Sequence, residues 1–488
     1  MIISQKEFAM NRKISFVLAL LMLVSAVSCG SSAGTEKDDT SGNTEESTTV
    51  EETEKTVTDD LGDIRFDGEE FNIYLAYPIK TMFVEEETGD NVDDAIWARN
   101  RAVEERLGIS LKFTEGGFAT DGGSQGTATQ QIRSFVMSGD TSNDLFIHVQ
   151  HSGMPGLISE GCFIDWNTLP NVDFSKPYWY ANCIRDINYG NKIYAMTGMY
   201  NLEILRASHI LAFNKRLVNE AGYDYPYQLV LDGKWTYDRF VEMVASATRD
   251  LNGDTIIDPN VDQFGYWGWV WESVPSLYMA LGGDVITKDK DNMPVISIET
   301  ERNIAIVEKM NELFAMDGAA YETATFGTFD AAFKNGTLMF DHSSLGDIQN
   351  MRDMKDDFGF VPYPKFDEAQ EGYNVRVGNC AGLSYIPVTN TRPELTGAVL
   401  EVMSAVSYNT VVPAYFDVAL TVKIARDTES EQMIPIISDS ASFYDEAADF
   451  SIISVITSGE SLPTYYAKVK NKVADNVQKL ITDVYKAN

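Results

Sequence analysis

Segments with the two-residue period of a β-strand alternate with segments of helical period along most of the chain. EFNIYLAY, which begins at Glu70, predicts a strand, and NVDDAIWARNRAVEERLG, which begins at Asn91, predicts a helix. The same alternation continues through ISLKFTE, DLFIHV and the long amphipathic IETERNIAIVEKMNELFAMDG. Alternating elements of this kind form α/β folds in which helices flank open, largely parallel sheets. A chain of 488 residues is long for one hydrophobic core, so we predict two domains.

The N-terminal region has the features of a secretory signal peptide. Arg12 and Lys13 form a short basic segment, and residues 14–27 are apolar apart from two serines. The segment is too short and wrongly flanked for a spanning helix, so we predict that residues 1–28 are removed. AVSC, which ends at Cys29, resembles a bacterial lipoprotein signal and implies that Cys29 is lipidated. Ordinary secretion, with Cys29 as an unmodified thiol, is the alternative.

Residues 29–65 are predicted to be a disordered tether behind the lipidated cysteine. They are rich in Ser, Thr, Gly and acidic residues and contain almost no apolar side chains before residue 61. A segment of this composition does not bury enough apolar surface to fold. As a flexible coil it would span ~30 Å. We therefore expect the folded part to lie on the outer face of the cytoplasmic membrane of a Gram-positive type of cell, attached only through lipid.

Charge and cysteine content exclude several classes of function. The formal net charge is −35, from 73 acidic and 38 basic residues. Such a surface repels nucleic acid and anionic lipid headgroups, so neither is an expected partner. Cys162, Cys183 and Cys380 have no CxxC spacing. They indicate buried free thiols and neither a disulfide framework nor a zinc site.

The sequence contains no recognisable catalytic motif. GxSxG, HExxH, GxxxxGK[ST] and GxGxxG are all absent. We therefore predict that the protein is not an enzyme. A lipid-anchored hydrolase acting on polysaccharides is the alternative, because such enzymes use paired carboxylates and tryptophan platforms.

Three segments carry a resemblance to a known family. They are HILAFNKRLVNEAGYDYPYQLVLDGKWTYDRF, FKNGTLMFDHSSLGDIQNM and DFGFVPYPK, in that order along the chain. They resemble bacterial extracellular solute-binding proteins of the maltose-binding type, the substrate-capturing subunits of ABC importers. The resemblance implies the type II two-lobed periplasmic-binding-protein fold, with three interlobe crossings. It also implies a small-molecule ligand, most often a sugar or oligosaccharide, which lies in the cleft at those crossings.

The resemblance also implies where the lobes begin and end. The crossings would lie near residues 201–207, 378–384 and 416–421. Lobe one would then comprise residues 66–203 with 384–418, and lobe two residues 204–383 with 419–488. Closure of the lobes over a ligand is the expected motion.

Three of the seven tryptophans stand at alternate positions in GYWGWVWESVP. Alternation would place Trp267, Trp269 and Trp271 on one face of an extended segment. Exposed indoles form an apolar patch that is best explained by a binding surface, and a pyranose stacks on an indole ring. We therefore predict an aromatic floor of a sugar-binding cleft, with burial of individual tryptophans in the core as the alternative.

Other candidate ligand contacts follow from position alone. Side chains after strands of an open α/β sheet face the crevice where ligands bind. For each polar residue, a solvated loop position is the alternative. These candidates are Gln150, His151, Glu203, Asp341, His342 and Tyr415, with Phe416 beside the last of them.

The segment DLNGDTIID has the oxygen spacing that calcium prefers. The side chains of Asp250, Asn252, Asp254 and Asp258, with the carbonyl of Ile256, would be the ligands of a structural calcium ion. The segment resembles the calcium loop of the galactose-binding protein and the first part of an EF-hand loop. The alternative is an Asx-rich turn whose side chains bind local backbone N–H groups.

These features predict a membrane-tethered solute-binding protein, monomeric, that captures a carbohydrate between two lobes. An oligosaccharide and delivery to the permease subunits of an ABC importer are expected. No cofactor is required beyond the possible calcium ion. A ligand-sensing partner of a membrane receptor would have the same sequence features and is a second alternative.

The anchoring prediction is tested by fractionation. Cys29→Ala should move the protein from the membrane fraction to the soluble fraction, because acyl chains contribute about 0.8 kcal/mol per buried CH₂ to membrane affinity. Cys162→Ala, which lies outside the signal, is the matched control and should stay with the membrane. A Cys29→Ala protein that remains in the membrane fraction would contradict lipidation at this residue.

Overall fold

The computed structural model describes residues 56–77, 79, 81–116, 125–149, 153–323, 328–378, 381–421, 428–444, 448 and 450–482. The predicted signal peptide, Cys29, most of the tether, Gln150, His151 and Cys380 lie outside these residues. The chain divides after Val57 into a first unit, of which only residues 56–57 are described, and a second unit, Thr58–Asn488. All of the strands and helices below belong to the second unit.

The described residues form two main sheets and two short two-stranded ones. The strands are β1 Glu70–Leu75, β2 Ser110–Glu115, β3 Leu145–Val149, β4 His209–Asn214, β5 Phe264–Trp269, β6 Ile286–Lys288, β7 Pro294–Ile296, β8 Ala319–Glu322, β9 Leu338–Ser344, β10 Phe358–Val361, β11 Val375–Arg376, β12 Gly382–Tyr385 and β13 Ala441–Ser442.

Helices connect and cover these strands, so the predicted α/β class is confirmed. The α-helices are α1 Asn91–Leu107, α2 Gln125–Met137, α3 Met154–Ser159, α4 Ala181–Ile187, α5 Glu203–Arg206, α6 Lys215–Glu220, α7 Tyr227–Leu231, α8 Tyr237–Ala247, α9 Val270–Ala280, α10 Glu301–Ala315, α11 Thr328–Lys334, α12 Pro393–Asn409, α13 Val411–Thr421, α14 Thr428–Glu431, α15 Met433–Asp439, α16 Ile452–Ser458 and α17 Leu462–Leu480.

Lobe one is the four-stranded sheet with the helices that pack on it. Its strand order is β12-β3-β1-β2, with β1 parallel to β2 and β3, and β12 antiparallel to β3. Helix α1 begins where the Asp90 side chain accepts hydrogen bonds from the N–H groups of Val92 and Asp93, and it ends at Gly108, which has a φ of 71°. An acidic side chain at the N-terminal cap and a glycine with positive φ at the C-terminal end are common helix boundaries.

Lobe two is the five-stranded sheet with its helices, and its strand order is β10-β4-β9-β5-β8. Strand β5 is parallel to β8 and β9, but β4 is antiparallel to both of its neighbours, β9 and β10. Two of the four strand pairings in this sheet are therefore antiparallel, whereas we predicted a largely parallel sheet. Strand β4 follows directly after the first crossing, and its first residue, His209, pairs with Ser344 at the end of β9.

The first two crossings run side by side and are bonded to each other. Ser208 and Val377 form an antiparallel bridge, and the Gly378 N–H donates to the Ala207 carbonyl at 2.8 Å. A Cβ atom at position 378 would lie 2.6 Å from Nε2 of His209, so only glycine fits here. Helix α13 ends at Thr421, and the chain continues in lobe two at α14, where the Ser430 hydroxyl is hydrogen-bonded to the Tyr227 hydroxyl.

The expectation that the cysteines are buried free thiols is met for the two that the structure describes. Cys162 and Cys183 are buried free thiols. One described segment, Pro393–Asp417, is long and apolar enough by composition to cross a membrane, but 78% of its most apolar window is buried inside the protein. It forms α12 and α13, which pack on α1 in the core of lobe one.

The fully buried guanidinium of Arg99 connects three parts of lobe one. It donates to the Met82 carbonyl at 2.8 Å, the Tyr200 carbonyl at 2.8 Å and the Ser407 hydroxyl at 3.2 Å. Tyr200 lies just before the first crossing. The same side chain therefore fixes the segment after β1, helix α12 and the approach to the hinge.

Removal of this side chain should destabilise the fold. Arg99→Ala leaves the buried Tyr200 carbonyl without its donor and opens a cavity at a fully buried position, and we expect the free energy of unfolding to fall by on the order of 3–5 kcal/mol. Arg101→Ala, on the exposed side of the same helix, is the matched control and should change it by less than about 0.5 kcal/mol. Urea denaturation of both variants measures the difference, and equal effects would rule out this role for Arg99.

Candidate functional site

Strand β9 presents different chemistry on its two faces. Phe340 and His342 point to the side covered by α8 and α9, where Phe340 contacts Phe240 at a ring-centroid distance of 5.3 Å. Because side chains alternate along a strand, Asp341 and Ser343 point to the opposite side, which α11 covers. The candidate residues Asp341 and His342 are therefore adjacent in sequence but lie on different faces of the sheet.

His342 belongs to a buried hydrogen-bond network inside lobe two. Its Nδ1 lies 2.6 Å from the Tyr363 hydroxyl, and its ring meets that of His209 edge to face at 4.7 Å. His209 Nδ1 is in turn 2.7 Å from the Ser276 hydroxyl. Burial lowers the pKa of both histidines well below the usual value, so both are neutral. These contacts give His342 a structural role between β4, β9 and α9, which differs from the ligand contact we predicted.

An ion pair joins helix α9 to the second crossing. The carboxylate of Glu272, in the first turn of α9, accepts from Arg376, and it lies 3.5 Å from Nε2 of His209. Arg376 is buried and stands just before Val377, where the chain crosses between the lobes. The N-terminus of α9 is therefore held at the hinge.

The three candidate tryptophans occupy three different environments. Strand β5 ends at Trp269, so Trp271 lies in the first turn of α9 and the three indoles do not share one face. Our prediction of a continuous extended segment is wrong here because the chain turns helical at Val270. Trp267 is buried in the core of lobe two, Trp269 is half-buried, and Trp271 is 51% exposed beside Glu272.

The end of β9 lies against the first crossing. The N–H groups of Leu345 and Gly346 donate to the carbonyls of Ser208 and Arg206 at 3.1 and 2.7 Å. We call this place the seam. It brings together residues 203–208, the end of β9 with residues 345–347, and the Tyr415 end of helix α13.

Two of the predicted contacts, Glu203 and Tyr415, lie at the seam. Glu203 pairs with Arg206 at 3.4 Å. Tyr415 is buried against Leu205, and Arg206, Glu203 and Asp347 are the charged groups that act on its hydroxyl. Burial raises the pKa of Tyr415, so the hydroxyl stays protonated. Phe416 packs against the same cluster.

Several buried polar groups around the seam have no hydrogen-bond partner among the described residues. They are both carboxylate oxygens of Asp341 and the hydroxyls of Ser343 and Tyr415. An unsatisfied buried polar group costs about 1–3 kcal/mol, and such groups are rare away from functional sites. Together they offer a set of donors and acceptors that suits a hydroxyl-rich ligand. Sequence reasoning missed Ser343, although its alternation with Asp341 was visible in the strand pattern.

Lobe one contributes an aromatic and a polar group after β1. Phe83 is 38% exposed and stacks on Phe113 at a ring-centroid distance of 4.8 Å. The buried hydroxyl of Thr81 has no partner in the described part of the chain. Among the described phenylalanines and tryptophans, only Phe83 and Trp271 are exposed. No sequence pattern pointed to Phe83, because an apolar residue after a strand is usually buried.

The calcium-like segment is an Asx-rich turn in the structure. The carboxylate of Asp250 accepts from the N–H groups of Gly253 and Thr255 at 2.6 and 2.8 Å, and Asn252 and Asp254 accept from N–H groups two residues further on. Asp258 accepts from the Asn260 N–H, and Ile256 is exposed. No three His, Cys, Asp or Glu side chains are grouped to hold a metal among the described residues. The arrangement fits the turn interpretation, and calcium stays an untested prediction.

The fold is similar to those of solved sugar-binding proteins of ABC importers. A cyclo/maltodextrin-binding protein in complex with maltotetraose is 12% identical, with a TM-score of 0.54 over 87% of this chain and 99% of that one. A galacto-N-biose/lacto-N-biose I-binding protein of an ABC transporter from Bifidobacterium longum, in complex with lacto-N-biose, is 12% identical, with a TM-score of 0.54 over 86% and 99%. An ABC substrate-binding protein from Listeria monocytogenes, in complex with cycloalternan, is 12% identical, with a TM-score of 0.50 over 85% and 99%.

These likenesses confirm the two-lobed solute-binding fold that the sequence resemblance implied. At such low identity they establish the fold alone. No protein-family model and no curated protein matches the chain.

The turn interpretation predicts that the loop keeps its structure without metal. Addition of millimolar calcium or of EDTA should therefore leave the melting temperature unchanged, since only a ligand of the folded state raises it. Asp250→Ala, which removes the acceptor for two backbone N–H groups, should cost about 1 kcal/mol. A rise in melting temperature with calcium that is lost in Asp254→Ala would instead establish a calcium site.

Proposed function

We propose that the protein captures a carbohydrate between its two lobes and delivers it to the permease of an ABC importer. The observation that carries this proposal is the set of unpartnered buried polar groups at the seam, from Asp341, Ser343 and Tyr415. They come from lobe two and lobe one, so a ligand that satisfied all of them would contact both lobes.

Aromatic surface on each lobe supports a sugar as the ligand. Among the described residues, Trp271 is the only exposed tryptophan and Phe83 is the only exposed phenylalanine. Indole and phenyl faces bury the apolar faces of pyranose rings, while the polar groups at the seam bind hydroxyls. The ligands named for the similar solved structures, maltotetraose, lacto-N-biose and cycloalternan, are all saccharides.

The hinge provides the means of signalling to a permease. We propose lobe one as residues 66–203 with 384–418 and lobe two as residues 204–383 with 419–488, connected by the crossings. A ligand that contacts both lobes stabilises the closed state by its difference in affinity for the two states. The closed form would then be the one that the permease recognises, with the predicted lipid anchor at Cys29 keeping the protein near the membrane.

Direct titration tests the proposal. We would titrate neutral di- to tetrasaccharides, including maltotetraose and lacto-N-biose, into the folded protein by calorimetry. Trp271→Ala should weaken binding about 10- to 100-fold, because a stacked aromatic of this size contributes roughly 1.5–3 kcal/mol. Its melting temperature should stay unchanged because the indole is exposed.

The matched control is Leu231→Ala, an exposed apolar residue of the same lobe in helix α7. It should bind saccharide as the wild type does. Failure of the protein to bind any saccharide would contradict the proposed function, and equal affinity of Trp271→Ala and wild type would remove Trp271 from the site.

A further inference from the structure

The Asp341 face of lobe two is unusually acidic for a buried surface. Asp341 is fully buried, and the carboxylates of Asp330 in α11 and Asp347 after β9 act on it electrostatically, with Lys334 as the opposing cation. Ser344 donates to Asp347 at 2.7 Å. Burial and the two neighbouring carboxyls disfavour the charged form of Asp341, so a cation beside it would stabilise that form.

The unpartnered groups are a second, independent feature of this face. Both oxygens of Asp341 and the hydroxyl of Ser343, which is 5% exposed, have no hydrogen-bond partner among the described residues. The two residues stand at positions i and i+2 of one strand, so they point the same way, with Ser343 nearer to the seam. A buried carboxylate of this kind is stable when charged only if a cation or hydrogen-bond donor pairs with it.

Aromatic rings flank the carboxylate on the same face. Trp267 is the direct cross-strand neighbour of Asp341, and Trp269 follows it at the next position of that face, opposite Glu322 of β8. Neighbouring strands of a sheet lie about 4.7–4.9 Å apart, so residues paired across them on one face are adjacent. A carboxylate beside indole rings is the chemistry that binds organic ammonium groups, through an ion pair and cation–π contact.

A metal ion fits this face less well than an organic cation. Within the described ranges, no three acidic, histidine or cysteine side chains are close enough to share a metal. The carboxylates are spread over β9, α11 and the segment after β9. An ammonium group needs only one close carboxylate, with the others contributing at longer range.

We propose that lobe two recognises a free amino group on the captured saccharide, with Asp341 as its carboxylate partner and Ser343 and Trp269 beside it. The inference rests on the proposed function, because it names the class of saccharide that the same site takes. Amino sugars would then bind more tightly than their N-acetylated counterparts, which carry no charge.

The pH dependence of binding follows from the groups around Asp341. Burial, and then the nearby Asp330 and Asp347, raises the pKa of Asp341, which Lys334 opposes. Burial likewise raises the pKa of Asp330 to about 6. Binding of an ammonium group to these carboxyls releases protons, so affinity for an amino sugar should rise from about pH 5 to about pH 7. Affinity for an uncharged saccharide would instead be unchanged or fall over that range, because protonated carboxyls donate hydrogen bonds.

Calorimetric titration of wild type and variants tests the inference. The probes are glucosamine disaccharides and trisaccharides, the same oligomers fully N-acetylated, and spermidine. We expect the amino oligomers to bind at least about tenfold more tightly than the acetylated ones. Asp341→Asn, which keeps the shape of the side chain, should abolish that preference. Asp353→Asn removes an exposed carboxylate of the same lobe and should leave the preference intact.

The remaining outcomes contradict specific parts of the proposal. Equal or tighter binding of the acetylated oligomers overturns the inference while leaving saccharide capture in place. A preference that survives in Asp341→Asn overturns the assignment to this residue. Binding of spermidine alone, or of no probe, overturns the inference, and the titration with maltotetraose and lacto-N-biose then decides its premise separately. The wild-type pH profile decides the question if Asp341→Asn does not fold.

Discussion

The hydrogen bond from the Gly378 amide to the Ala207 carbonyl joins two crossings that would otherwise be separate linkers. Because the crossings run antiparallel and adjacent, the start of β4 is placed at the edge of the lobe-two sheet where β9 ends. The pairing also needs position 378 without a side chain, since the ring of His209 occupies that space. This contact lies next to the seam and close to Arg376, whose ion pair with Glu272 reaches the N-terminus of helix α9.

The two faces of β9 differ in how their buried polar groups are satisfied. On one face, His342 is hydrogen-bonded to Tyr363 and packs against His209, which is hydrogen-bonded to Ser276. Both histidines are neutral because they are buried. On the other face, Asp341 and Ser343 have no such partners in the described part of the chain. Burial of a polar group without a hydrogen-bond partner is unfavourable. We therefore propose that a ligand binds on the face of β9 whose polar groups have no partner.

Local sequence signals predicted local structure well. Helix α1 formed in the segment NVDDAIWARNRAVEERLG where the helical period predicted it, and the structure adds that Asp90 caps its start. The acidic turn after Asp250 also formed, because its side chains bind backbone N–H groups only a few residues away. Prediction was poorer where the outcome depended on distant residues. Alternation of Trp267, Trp269 and Trp271 was read as one strand face, but the chain becomes helical at Val270, whose helix is fixed by the Glu272–Arg376 ion pair from far along the sequence.

The sequence by itself determined the α/β class, the capped helices and, through the family resemblance, a two-lobed fold, because hydrophobic period and capping are local properties. It also placed Glu203, Asp341 and Tyr415 among the candidate residues, since each follows or adjoins a predicted strand or crossing. Only the tertiary structure decided that Glu203 and Tyr415 lie at the seam, that His342 is hydrogen-bonded within lobe two, and that Ser343 lies on the same face of β9 as Asp341. Those outcomes depend on which strands become neighbours and in which direction they run. Pairing of that kind is set by contacts between residues more than a hundred positions apart, such as Ala207 and Gly378, which no local pattern records.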